Sequence, residues 1–211
     1  MSGPATVYVV DDDAAVLKAL TRLLQAAGHA VAAFPSPQAF LDSHDASTPG
    51  CLLLDVAMPE INGLELQEKL AADDTCRAIV FISGHGDVPK IVQAMKGGAV
   101  DFLTKPFNDV QLLEAVDIAI RKGYAARQAN GELKQMEQRL TTLTAREREV
   151  FEHVVSGKLN KLIATDLGTG EKTVKVHRAR VMHKMGAASL ADLVRMAEKM
   201  GIRPGAPFPD P

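Results

Sequence analysis

With 211 residues the chain can form one large domain or two small ones, and 46% apolar with 24% charged residues is the composition of a folded globular protein. Two cysteines, Cys51 and Cys76, with no Cys/His cluster exclude a disulfide framework and a structural zinc site. The net charge of -2 is uneven: residues 1–122 hold 16 Asp and Glu against 9 Lys and Arg, a net of -7, while residues 123–211 hold 10 against 15, a net of +5. An acidic front and a basic back point to two domains with different partners, the back one to nucleic acid. No apolar run approaches the ~18 residues of a membrane span. The opening Met1-Ser2-Gly3-Pro4 shows no secretory pattern, so a cytoplasmic place is expected.

In chain order, strands are predicted at Thr6–Val10, Ala30–Phe34, Cys51–Asp55, Ala78–Ser83 and Phe102–Thr104. Between them, helices are predicted at Ala14–Ala27, Pro37–Leu41, Leu64–Ala72 and Val88–Lys96, with another beginning near Asp109. This alternation implies a doubly wound, five-stranded parallel sheet covered on both faces, an α/β domain over 1–122. A helical linker follows over 123–142. Its apolar residues Ala126, Ala129, Leu133, Met136 and Leu140 are spaced as a heptad seam, with Gly131 on the outward face. Two readings stand side by side: a short coiled coil pairing with a second chain or with the chain's own output domain, and a solvated linker helix.

Thr144-Ala145-Arg146-Glu147 is a capping box that starts a helix ending near Gly157. Asn160 can cap a second helix, through Leu167 and stopped at Gly168. A third is predicted over Glu171–Met185, and Ser189-Leu190-Ala191-Asp192 caps a fourth. Four short helices over 143–203 make an all-α helix-turn-helix domain, and 204–211 is a Pro-rich tail expected to fray.

Asp11, Asp12 and Asp13 directly follow the first strand and Asp55 the third. In a sheet of order 2-1-3-4-5 these strands are neighbours at the switch point, where ligands sit at the carboxyl ends. Carboxylates converging there need a cation, and hard oxygen donors with room for water favour Mg²⁺. Ser83 ends the fourth strand and Lys105 follows the fifth. A hydroxyl and an ammonium thus reach the same edge, a set suited to an incoming phosphoryl group with Asp55 as acceptor.

Val9-Val10-Asp11-Asp12-Asp13, Leu54-Asp55-Val56-Ala57-Met58-Pro59-Glu60-Ile61-Asn62-Gly63, Ile82-Ser83-Gly84-His85-Gly86-Asp87 and Phe102-Leu103-Thr104-Lys105-Pro106-Phe107 resemble the receiver domain of two-component response regulators. The resemblance implies that Asp55 accepts phosphate from a sensor histidine kinase. It also implies that Asp11, Asp12, Asp55 and the carbonyl of Ala57 hold Mg²⁺. Ser83 and Phe102 match the pair that couples phosphorylation to rearrangement, Lys105 matches the phosphate-contacting lysine, and Lys105–Pro106 is expected to be cis. Phosphatases that form an aspartyl-phosphate on a similar sheet carry a second Asp two residues after the nucleophile. Here that position is Ala57, so no turnover enzyme is expected.

In the basic helix, Val174, Val181 and Met185 recur on a core-facing row, while Lys172, Lys175, Val176 and Ala179 share another face, flanked by Arg178, Arg180 and Lys184. Such a face suits phosphate and base contact. Leu143-Thr144-Ala145-Arg146-Glu147-Arg148-Glu149-Val150, Asn160-Lys161 with Ile163-Ala164, and Thr173-Val174-Lys175-Val176-His177-Arg178 resemble the LuxR-type DNA-binding domain. Joined to a receiver, this is the pattern of the NarL/FixJ class, FixJ-like in its wording. The resemblance implies that Lys175, Val176 and Ala179 approach bases, and that Asn160, Lys161, Thr173, His177 and Lys184 serve the DNA backbone. Arg180 belongs to the same flank. Gly170 stands where relatives usually have Ser, a better N-cap.

The expectation is a phosphorylation-switched transcription factor that pairs with itself, binds promoter DNA and works with RNA polymerase. The alternative is a phosphorylation-controlled module whose helical domain binds protein or RNA.

Overall fold

A computed structural model describes residues 5–43, 48–72, 77–84 and 86–202. Cys76, His85 and the tail from Arg203 onward lie outside the described residues. The chain divides into two compact units, Met1–Gln128 and Ala129–Pro211.

The first unit alternates β1 (Thr6–Val10), α1 (Ala14–Ala26), β2 (Ala30–Phe34), α2 (Pro37–Ser43), β3 (Gly50–Asp55), α3 (Gly63–Ala72), β4 (Ala78–Ser83), α4 (Val88–Lys96), β5 (Asp101–Thr104) and α5, which begins at Asp109. All strands are parallel, in the order β2-β1-β3-β4-β5. Alternate strand residues serve opposite faces. Tyr8, Val10, Leu52, Leu54 and Phe81 pack with Phe40, Leu66 and Leu70 on one side. Val7, Val9, Leu53, Val80 and Ile82 pack with Leu20, Leu24, Leu112 and Val116 on the other. The central strand β3 is buried along its whole length, as a doubly covered parallel strand must be. Cys51 lies within it with no exposure, and burial pushes its thiol up to about 12.

Gly63 opens α3 immediately behind the end of β3. A Cβ there would sit 2.3 Å from the Asp55 carbonyl oxygen and 3.1 Å from the Phe81 ring. Gly63→Ala is therefore expected to lower stability by about 1–3 kcal/mol through overpacking, read as a lower urea midpoint. An unchanged midpoint would mean that the loop yields at no cost.

The second unit packs α6 (Ala145–Val155), α7 (Asn160–Asp166), α8 (Glu171–Met185) and α9 (Leu190–Lys199) around Val150, Phe151, Val154, Ile163, Val174, Val181, Met185 and Leu193. The Thr144 capping box is present in both directions, and Ser189 accepts from the Asp192 amide. One expectation needs correcting: Leu159, not Asn160, is the N-cap of α7, and it makes no side-chain cap bond. Asn160 is the first helical residue, and its amide oxygen is taken by Arg178.

The expected linker 123–142 is helical through Thr141 and continuous with the helix before it. The helix α5 runs unbroken from Asp109 to Thr141. Of the seam, Ala126 and Ala129 are exposed. Leu140 packs against the core of the second unit.

Candidate functional site

Strand register builds the first site. Val10 pairs with Leu54, so Asp11 and Asp55 emerge side by side at the carboxyl edge of β1 and β3. Ile82 pairs with Asp55 and Ser83 with Thr104, so the ends of β4 and β5 arrive at the same edge. The Lys105 amide donates to the Ser83 carbonyl at 2.7 Å. Asp11, Asp55 and Ser83 are buried, at 1%, 5% and 3% exposure. Lys105 Nζ donates to Asp55 Oδ1 at 2.9 Å and to Asp11 Oδ2 at 3.0 Å. The Ala57 amide donates to Asp55 Oδ2 at 2.6 Å, and the Asp13 amide to Asp11 Oδ1 at 2.9 Å. Asp55 thus keeps a fixed orientation, each of its oxygens tied to a donor.

Asp13 serves differently from its two neighbours. It is the N-cap of α1, accepting from the amides of Ala15 and Val16. Asp12 and Ala57 sit exposed at the rim. Phe102 is half-buried, its ring centroid 6.1 Å from that of Phe81, and the Lys105–Pro106 bond is cis as expected.

The electrostatics follow from the burial. Desolvation raises the Asp11 carboxyl above its usual range, although the hydrogen bond from Lys105 opposes the shift. Burial pulls Lys105 down, but hydrogen bonds to Asp55 and Asp11 outweigh it and hold the ammonium above the ordinary lysine range. Two carboxylates, Asp11 and Asp55, share one ammonium, and Asp12 stands exposed next in sequence, so the edge remains short of positive charge. Among the described residues no three His, Cys, Asp or Glu side chains are gathered closely enough to cage a metal by themselves. Mg²⁺ does not require such a cage. It takes one or two carboxylates, keeps several waters and accepts phosphate oxygens.

The second site is the outer face of α8. Thr173, Lys175, Val176, Ala179 and Arg180 are exposed, as are Lys172 on the same helix and Lys161 on α7. Lys175 stands 3.7 Å from Glu171, an exposed i,i+4 pair too weak to sequester it. His177 is half-buried, and its Nδ1 is buried without a hydrogen-bond partner. Arg178, which the sequence placed only on a flank, donates from Nη1 to Asn160 Oδ1 at 3.1 Å and ties α7 to α8. Arg146 Nη2 donates to the Leu167 carbonyl at 2.5 Å, fixing the turn before α8 from the start of α6. A long basic residue opposite a helix end is the available signal for both contacts, but the pairing needs the fold.

Lys184 departs from expectation. Its ammonium lies 2.6 Å from Glu147 Oε2 and 2.9 Å from the Thr142 carbonyl, and Glu147 is only 3% exposed. Lys184 belongs to the frame of the second unit.

Both units match known domain families. The family model for the response regulator receiver domain matches residues 7–117, and that for bacterial regulatory proteins of the luxR family matches residues 141–197. The transcriptional regulatory protein FixJ of Azorhizobium caulinodans is 47% identical over 94% of this chain and 94% of its own. Nodulation protein W of Bradyrhizobium diazoefficiens is 45% identical over 95% of this chain and 88% of its own. Among solved structures, the response regulator StyR is 44% identical with a TM-score of 0.78, covering 93% of this chain and 100% of that one. Full-length FixJ from B. japonicum is 41% identical with a TM-score of 0.57, covering 96% and 100%. No helix among the described residues is long and apolar enough to cross a membrane. The chain therefore belongs to the two-component response regulators that join a receiver to a LuxR-family DNA-binding domain, a family of transcription regulators.

Proposed function

We propose that a sensor histidine kinase phosphorylates Asp55 in the cytoplasm, and that the phosphorylated chain binds promoter DNA as a dimer to direct RNA polymerase. The observation that carries the reading is the Lys105 ammonium set between Asp55 and Asp11, because it marks where phosphoryl charge is to be received. An Asp55 carboxylate oxygen attacks phosphorus, and the bond from phosphorus to the donor's imidazole nitrogen breaks. The electron pair goes to that nitrogen, which takes up a proton. Asp11, Asp12, Asp55 and the Ala57 carbonyl are the residues that would hold Mg²⁺, and the oxygen-only donor set with its unbalanced negative charge fits that ion. When bound, Mg²⁺ supplies charge neutralisation for the transferred group. Lys105 contacts the phosphate, Ser83 gives it a hydrogen bond, and Phe102 follows the hydroxyl inward.

The phosphate adds about -1.5 to -2 charge at neutral pH. Pairing is supported by an apolar row on α4: Val88, Val92 and Met95 are 68%, 45% and 45% exposed at helical spacing, with Val110 at the start of α5 exposed too. In the DNA complex, Lys175, Val176 and Ala179 meet base edges, the Val176 side chain suiting a thymine methyl. Asn160, Lys161, Thr173, His177 and Arg180 meet the backbone.

The test is gel retardation with acetyl phosphate and Mg²⁺ on DNA fragments selected by the protein. Sequence-specific retention strengthened by phosphorylation is expected, and its absence sinks the reading. Lys175→Ala should cost about 1–3 kcal/mol, mainly on the preferred fragment. An equal loss on specific and random DNA would put the wrong face of α8 on the bases.

A further inference from the structure

The last turns of α5 lie inside the second unit and meet the far end of α8. Arg139 Nη1 donates to the Met185 carbonyl at 3.1 Å. That carbonyl belongs to the last turn of α8, where four acceptors lack intrahelical partners and where a cation is favoured by the helix dipole. Gly186 follows in the left-handed conformation, φ +69°, and a Cβ there would lie 2.7 Å from Arg139 Nη1. The turn is thus a socket for this guanidinium from two directions: a bare carbonyl accepts it, and a missing side chain admits it.

The neighbouring contacts point the same way. Leu140 packs against the helical core, and Lys184 Nζ reaches the Thr142 carbonyl at 2.9 Å. Glu132 pairs with Lys199 of α9 at 3.1 Å. Met136 lines a cavity of about 360 Å³ with Gly186, Ala188 and Met196. The segment that the sequence assigned to a linker therefore clasps both α8 and α9 at the end away from the base-facing residues.

From this geometry we infer that the end of α5 is a working part of the DNA-binding unit, and that Arg139 is a positioning residue for recognition. It touches no base. It holds the C-terminal end of α8, so that Lys175 and Val176 near the other end enter the groove at a fixed angle. With 15 residues α8 is about 22 Å long, so a tilt of some 10° at one end carries the other by about 4 Å, more than a hydrogen bond tolerates. The inference rests on the reading of α8 as the base-contacting helix.

The test uses the full-length chain with Arg139→Ala and Arg139→Lys. Affinity is read by fluorescence anisotropy on two duplexes, across a range of salt. One is recovered from a random library by the phosphorylated wild type, and the other is its scrambled counterpart. Arg139→Ala is expected to bind the selected duplex about tenfold more weakly, with little change on the scrambled one and an unaltered salt slope. Arg139→Lys should restore part of the preference, because it keeps a cation at the helix end. Amide exchange at the last turn of α8 should quicken in Arg139→Ala, and intact-mass phosphorylation of the receiver should not move. A loss shared equally by both duplexes, with the salt slope reduced by about one unit, would make Arg139 a phosphate contact and overturn the inference. Unchanged affinity on both duplexes overturns it as well. Should Arg139→Ala not fold, Arg139→Lys decides: a partial loss confined to the selected duplex, with faster exchange in the last turn of α8, counts for the inference, and unchanged affinity or equal losses on both duplexes count against it. A wild type that does not prefer its selected duplex defeats the α8 reading itself, which separates that failure from this one.

Discussion

Asp55→Asn protein, incubated with acetyl phosphate and Mg²⁺ at neutral pH, is expected to show no gain of a phosphate by intact mass, where the wild type gains one. The substitution leaves the shape of the side chain almost intact, so the hydrogen bonds from Lys105 and from the Ala57 amide lose an acceptor or a charge without opening a cavity. What disappears is the anionic oxygen that attacks phosphorus. One undiminished phosphate on the variant would remove Asp55 from its role. Lys105→Ala should behave differently: the nucleophile remains, while two buried carboxylates lose their common ammonium, so labelling slows and folding weakens together.

The second large effect is expected at the other end of the chain. Lys184→Met removes the cation from Glu147, a carboxylate buried to 3% exposure that also accepts from the Thr144 amide at 2.9 Å. Leaving a buried charge without its partner costs about 3 kcal/mol, equivalent to roughly a hundredfold faster amide exchange in α6 and α8. The hydrogen bond from Lys184, with that from the Thr144 backbone, holds the Glu147 carboxyl down from 4.5 to about 2. A carboxyl depressed in the folded state contributes stability that is complete above its unfolded value and is lost as pH falls through the folded one. The wild-type second unit should therefore lose protection between about pH 4.5 and 2, and Lys184→Met should lose less over that interval. Equal acid sensitivity in the two proteins would count against the pair. Binding gives an independent check, because a structural lysine leaves the salt slope on DNA unchanged, whereas a phosphate contact would reduce it by about one unit.

These two residues show which parts of the molecule could be read in advance. Asp55 was legible because parallel pairing follows from strand order, and an aspartate directly after β3 must then stand beside one directly after β1. The strands, the helix starts at Thr144 and Ser189, and the buried row Val174, Val181 and Met185 were legible for the same reason: each is local, or repeats at a fixed period. The Lys184–Glu147 pair was not legible because the two residues lie 37 positions apart, and helical periodicity reports only which face a residue occupies. Arg139 meets Met185 across 46 residues, and Asn160 meets Arg178 across 18, contacts that no spacing encodes. The heptad spacing of the linker shows an apolar row but not its partner, and Leu140 at its end packs against the helical core.

The thiol of Cys51 is withheld twice, by a position in β3 with no exposure and by a proton affinity that leaves almost no thiolate at neutral pH. Peroxide, disulfide exchange and soft metal ions all act on the thiolate. None of them has a reactant while the sheet is closed. An oxidising episode in the cell therefore passes this cysteine by, and a modified Cys51 records that its strand had first left the sheet.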